Sequence, residues 1–170
     1  ANRVAQDSHM LLGRNHASDE FFSEARVRSF VDEKDISTSF YFAKFNTILK
    51  TETESITVLL EATDQEYYFS KRPLNYVDVF NGDTEDADLN YQFIGGYSTI
   101  IIGESFAKKH NISAGDLVEI YIPTYNRYTK MVVEYIAKNE GIFSSPADKN
   151  ILTDFNSIGN SGQVNAVYFD

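Results

Sequence analysis

Apolar positions along this chain fall into short runs separated by polar or turn-forming residues, and the period inside the runs changes along the sequence. Ser18 precedes Asp19 and Glu20, an N-cap followed by anions where the helix dipole favours them. Phe21, Phe22, Ala25 and Phe30 continue as an apolar stripe, so the pattern predicts a helix over Asp19–Glu33. Thr38–Leu49 is rich in aromatic and β-branched residues and Ile56–Ala62 is a compact apolar run. Both read as strands, joined through the polar turn Lys50–Ser55. Asp64–Arg72 reads as short helical or irregular structure, stopped by Pro73.

The second half is punctuated more sharply. Tyr97–Ile102 reads as a strand, and its consecutive isoleucines Ile100, Ile101 and Ile102 imply burial on both faces. Gly103 ends it. Glu104–His110 carries acid at its start and Lys108, Lys109 and His110 at its end, which predicts a short helix with Asn111 as a left-handed C-cap. The turn Ile112–Asp116 leads into the strand Leu117–Ile122, the loop Pro123–Arg127 and a returning strand Tyr128–Ala137. Gly141-Ile142-Phe143 reads as an extended piece, and Asn150–Thr153 and Val164–Phe169 as the last strands. The expected fold class is α+β: strand-rich, with one longer N-terminal helix and one short helix. A compact β-rich subdomain is expected in the C-terminal half. The chain, 1–170, reads as one domain with subdomains over 18–72 and 91–170.

Composition narrows the function. The chain has 170 residues and a formal net charge of −10, from 25 acidic and 15 basic side chains. Such a field repels phosphate backbones and anionic lipid, so nucleic acid is not an expected partner. The absence of cysteine excludes disulfide frameworks, thiolate nucleophiles and Cys-based zinc sites. No apolar run is long enough to span a bilayer, and Ala1–Gly13 has no signal-peptide core.

Candidate chemistry is sparse. His9, His16 and His110 lack further ligands at metal spacing, and His110 is accounted for by helix termination. No G-x-S-x-G elbow or phosphate-binding glycine loop occurs, which argues against nucleophilic catalysis and against an ATPase. Asp83, Glu85, Asp86 and Asp88 form the one candidate calcium loop, although the EF-hand spacing fails because Tyr91 stands where its glycine belongs. A solvated acidic loop is the ordinary reading, so no metal or cofactor is expected. Tyr67, Tyr68, Tyr121, Tyr125 and Tyr128 suit half-buried strand positions, which is the ordinary reading, with a peptide- or sugar-binding surface as the alternative.

The stretch Thr99–Val118 runs from an apolar strand through a short Ala-bearing helix and a Gly115-Asp116 turn into a second apolar strand. Lys130–Ile136, Gly141-Ile142-Phe143 and Val164–Phe169 follow in order. This succession resembles the extracytoplasmic domain of MacB/FtsX-type ABC-transporter permeases, with a weaker likeness reaching back to Asp19. The resemblance implies a porter-like first subdomain and a MacB-like periplasmic core. Gly103, Gly115, Asp116 and Gly141 are then structural positions: glycine reaches backbone angles closed to other residues, and Asp116 can bond its own turn. The family pattern adds a helix and strand beyond Phe169, a departure here. The resemblance further implies a membrane-embedded parent, a homodimer or pseudo-dimer, with a cytoplasmic ATPase subunit. An extracytoplasmic substrate or protein partner would complete the picture, and no catalysis by this domain. The alternatives are a secreted carbohydrate-active enzyme using the Asp83–Asp88 acids, or a free-standing extracellular adhesin or binding domain.

Overall fold

The computed structural model describes residues 10–12, 22–23, 25, 39–80, 93–144, 149–159 and 163–169. In chain order the elements are β1 (Met10–Leu12), β2 (Phe22–Ser23), β3 (Ser39–Lys50), β4 (Ser55–Thr63), α1 (Gln65–Lys71), β5 (Tyr76–Val79), β6 (Phe93–Ile94), β7 (Tyr97–Gly103), α2 (Glu104–His110), β8 (Leu117–Ile122), β9 (Arg127–Ala137), β10 (Asn150–Asp154), β11 (Gln163–Val164) and β12 (Ala166–Phe169).

Six strands close into a barrel. β3 pairs antiparallel with β4, β4 parallel with β10, and β10 antiparallel with β7. β7 then pairs parallel with β9, β9 antiparallel with β8, and β8 antiparallel with β3. Closure removes the free edges that an open sheet would present. β3 makes it possible by its length: on one side Ser39–Phe42 lie against β12, and Leu49–Lys50 against β8.

Alternation along each strand sorts the side chains into two cores. Inside the barrel stand Ala43, Phe45 and Leu49 of β3, Ile100 and Ile102 of β7, and Val118, Ile120 and Ile122 of β8. Phe106 and Ala107 of α2 and the following Ile112 join this cluster. On one outer face a second core collects Phe40, Phe42, Ile101, Tyr135 and Leu152 under Tyr68 and Phe69 of α1 and Phe143. The triple isoleucine is thereby explained: Ile100 and Ile102 fill the barrel while Ile101 faces the second core. Each such side chain, fully buried, stabilises the fold by about 1.5–3 kcal/mol.

The expected α+β class with a longer N-terminal helix is corrected. The fold is β-rich, and the two α-helices bounded among the described residues, α1 and α2, have seven residues each. Within Asp19–Glu33, Phe22 and Ser23 form β2, paired antiparallel with Val164 and Gln163. Ala25 alone is described in helical conformation, and the remainder of that stretch lies outside the described residues. Local capping at Ser18 favours a helix, but aromatic residues also suit strands, and a distant partner decided at Phe22. Gly141–Phe143 is a 3₁₀ turn rather than an extended piece, because Gly141 takes a φ of +59° that diverts the chain.

Candidate functional site

The turn before β8 is the most tightly specified of the expected positions. The Gly115 N–H donates to the Val133 carbonyl at 2.7 Å, and the Val133 N–H returns a bond to the Asp116 carbonyl at 2.9 Å. The Asp116 carboxylate accepts from the Ser113 N–H at 2.9 Å, closing the turn on itself. Gly115 has a φ of +95°, and an added Cβ would lie 2.6 Å from the Phe80 ring. Phe80 in turn donates its N–H to the Glu134 carbonyl, so β5 and β8 meet end to end along β9 beside this glycine.

Gly103 serves the junction of β7 and α2. A Cβ there would come within 3.0 Å of the Asn139 amide and 3.3 Å of Phe143. Asn139 supplies the helix cap that Gly103 cannot: its Oδ1 accepts from the Ser105 N–H at 2.9 Å, and its Nδ2 donates to the Phe143 carbonyl. α2 ends as its charges indicate, on Asn111 in the left-handed region, with the Ile112 N–H bonded to the Ala107 carbonyl.

Gly103, Gly115, Asp116 and Gly141 therefore hold turns. His110 Nδ1 lies 3.0 Å from a Glu54 carboxylate oxygen, tying the end of α2 to the β3–β4 turn. Among the described residues no group of three His, Asp or Glu side chains is placed to hold a metal ion. The loop of Asp83, Glu85, Asp86 and Asp88 lies outside the described residues.

Two buried polar clusters went unread in the sequence. Lys44 on β3 faces Glu61 directly across on β4, Nζ to Oε1 3.2 Å, with both side chains almost wholly buried. The Lys44 ammonium also donates to the Tyr168 hydroxyl, and the Asn165 side chain bonds both the N–H and the carbonyl of Lys44 at 2.8 Å. Burial alone would pull the Lys44 pKa down. The Glu61 carboxylate and the Tyr168 oxygen outweigh it, and the pKa lies above the usual lysine value. The signal was present: a lysine inside Phe-Tyr-Phe-Ala-Lys-Phe, and a glutamate inside a continuous apolar run.

Asp154 is the second cluster. Its carboxylate accepts from the Gln65 N–H and the Asn156 N–H, each at 3.0 Å, joining the end of β10 to the start of α1. Burial raises its pKa against the lowering by these two bonds, with Asp64 and Glu66 adding to the rise. Such a carboxylate is accounted for by its caps and needs no catalytic role.

No family model matches the sequence, and no curated protein matches it. Solved structures do. The fold is similar to the extracellular domain of the noncanonical ABC-type transporter YknZ from Gram-positive bacteria, with a TM-score of 0.56 and 15% identity over 94% of this chain and 81% of that one. It is similar also to the periplasmic region of MacB from Actinobacillus actinomycetemcomitans, with a TM-score of 0.52 and 13% identity. That match covers 88% of this chain and 64% of the MacB region, so the chain spans slightly under two thirds of it. The fold is thus shared with the extracellular domain of YknZ and the periplasmic region of MacB, in keeping with the resemblance read over Thr99–Phe169.

Proposed function

We propose that this chain is the extracytoplasmic domain of an ABC-transporter permease. It binds a substrate or partner protein outside the membrane and moves with membrane helices driven by a cytoplasmic ATPase. The observation that carries this reading is the coverage of the YknZ extracellular domain, 94% of this chain against 81% of that one, at 15% identity. At 15% identity the likeness lies in the backbone fold rather than in shared side chains.

The chain path supports the same reading. β1 and β12 are antiparallel neighbours with Met10 opposite Phe169, so segments flanking them would leave from one place. Membrane helices attached there would act on the terminal strands together. Among the described residues no helix is long and apolar enough to cross a membrane.

The test is the topology of the full-length gene product in cells. An epitope placed in this segment should be accessible to external protease while the protein stays with the membrane fraction. An ATP-binding subunit should co-purify with it. Release of this segment into the medium after cleavage of a lone signal peptide would overturn the proposal.

A further inference from the structure

β4 and β10 run parallel as neighbours, with Thr63 beside Asp154, and each ends in a helical turn. β4 leads through Asp64 into α1, whose Tyr68 and Phe69 pack on the second core. β10 leads through Asp154 into the 3₁₀ turn Phe155–Ile158, where Ile158 is buried in the barrel cluster and Phe155 packs against it. One carboxylate serves both turns. Asp154 Oδ1 accepts from the Gln65 N–H at the start of α1, and Oδ2 accepts from the Asn156 N–H of its own turn.

A carboxylate holds one N–H donor on each oxygen only while it is ionised. A proton on either oxygen makes that oxygen a donor facing an N–H, and the bond there is lost. The surroundings favour the proton. Asp154 is only 6% exposed, and its burial raises the pKa above the ordinary carboxylate value against the lowering by its two bonds. Asp64, just before α1, and Glu66, in its first turn, add to the rise. The turn Phe155–Ile158 carries no charged side chain, and neither does β7, the other neighbour of β10. Among the described residues no cation pairs with Asp154.

We infer that Asp154 is a proton-dependent coupler: ionised, it ties α1 and the turn Phe155–Ile158 to each other, and protonated, it releases one of them. The release is local. Because the folded-state pKa is raised, the folded chain takes up this proton before the unfolded chain does. The contribution of Asp154 to global stability is therefore fully present below the unfolded-chain pKa and is lost as pH rises through the folded one. Mild acid thus uncouples the layer over the second core from the turn on the barrel cluster without weakening the fold through this group. The inference stands apart from the permease reading.

Amide hydrogen exchange, followed by NMR on the 170-residue chain over a series of pH values, tests the inference. With intrinsic rates corrected, protection at Gln65 or at Asn156 should fall by about fivefold or more on acidification. The step should coincide with the titration of the Asp154 carboxyl carbon, while the Val133 amide, bonded to the Asp116 carbonyl, stays protected. Asp154→Asn offers one acceptor oxygen at every pH, so it should show the lowered protection at neutral pH and no step. Asp64→Asn with Glu66→Gln keeps a capping side chain before α1 and should move the step to lower pH. Protection that ignores the Asp154 titration, a step that persists in Asp154→Asn, or one unmoved by the Asp64 and Glu66 replacements would overturn the assignment. So would loss of protection at Val133 in the same step, which would make the event global unfolding. The wild-type titration and the Asp64, Glu66 variant decide the matter even where Asp154→Asn does not fold.

Discussion

At Gly115 two independent constraints fall on one Cα. A φ of +95° disfavours any L side chain, and the Phe80 ring occupies the space a Cβ would need. Gly115→Ala should therefore destabilise the domain by about 1–2 kcal/mol, combining backbone strain with displacement of the ring. The two causes separate in a double-mutant cycle: in a Phe80→Ala background the same substitution should cost only the backbone share, about 1 kcal/mol. Urea denaturation of the four proteins measures this. An equal cost in both backgrounds would show that Phe80 yields without penalty and that φ alone fixes the glycine.

Among elements, the attachment of β12 to the barrel is the junction with the most unusual chemistry. β3 changes partner along one side, from β12 at Ser39–Phe42 to β8 at Leu49–Lys50, and backbone groups between them need other acceptors and donors. The Asn165 side chain supplies both at Lys44, and the Thr47 hydroxyl donates to the Tyr121 carbonyl at 2.6 Å. Lys44, Glu61 and Tyr168 then place a buried charge pair under the same junction. Such a pair adds little net stability but penalises a slipped register, because a one-residue shift of β12 would take Tyr168 from Lys44. Lys44→Met leaves Glu61 buried with no counter-ion and should cost about 3–5 kcal/mol. Adding Glu61→Leu should restore most of the loss. Melting temperatures of the single and double variants decide it, and a double variant as unstable as Lys44→Met would mean that the pair stabilises the fold outright.

Over the whole molecule, the two cores share their walls. β7 and β10 send alternate side chains to the barrel interior and to the second core, as Ile100 and Ile101, and Ile151 and Leu152 do, and β9 does the same across a register shift between Val133 and Tyr135. Losing one core would strip a face from strands that hold the other, so both should unfold in one transition. Far-ultraviolet circular dichroism, which follows the strands, and tyrosine fluorescence, to which Tyr68, Tyr76, Tyr135 and Tyr168 of the second core contribute, should give coincident urea curves. A separate early transition in fluorescence would show that the α1 layer detaches from an intact barrel.

Much of this architecture was legible locally. The α2 charges, the Asn111 cap, the double-faced Ile100–Ile102 run and the Gly115-Asp116 turn each carry their own start or stop signal within a few residues. Net charge and the lack of cysteine narrow the expected partners and chemistry without reference to the fold. Closure of the barrel was not legible, because it depends on β3 meeting β8 and on β4 meeting β10, pairings between strands far apart in sequence. The same limit misread Phe22, whose strand exists only because Val164 reaches it, and Lys44, whose charge is tolerated only because Glu61 and Tyr168 surround it. Propensity and periodicity act over a turn or two of chain, whereas the cost of burying a charge or leaving a strand edge open is settled by whatever the finished fold sets beside it.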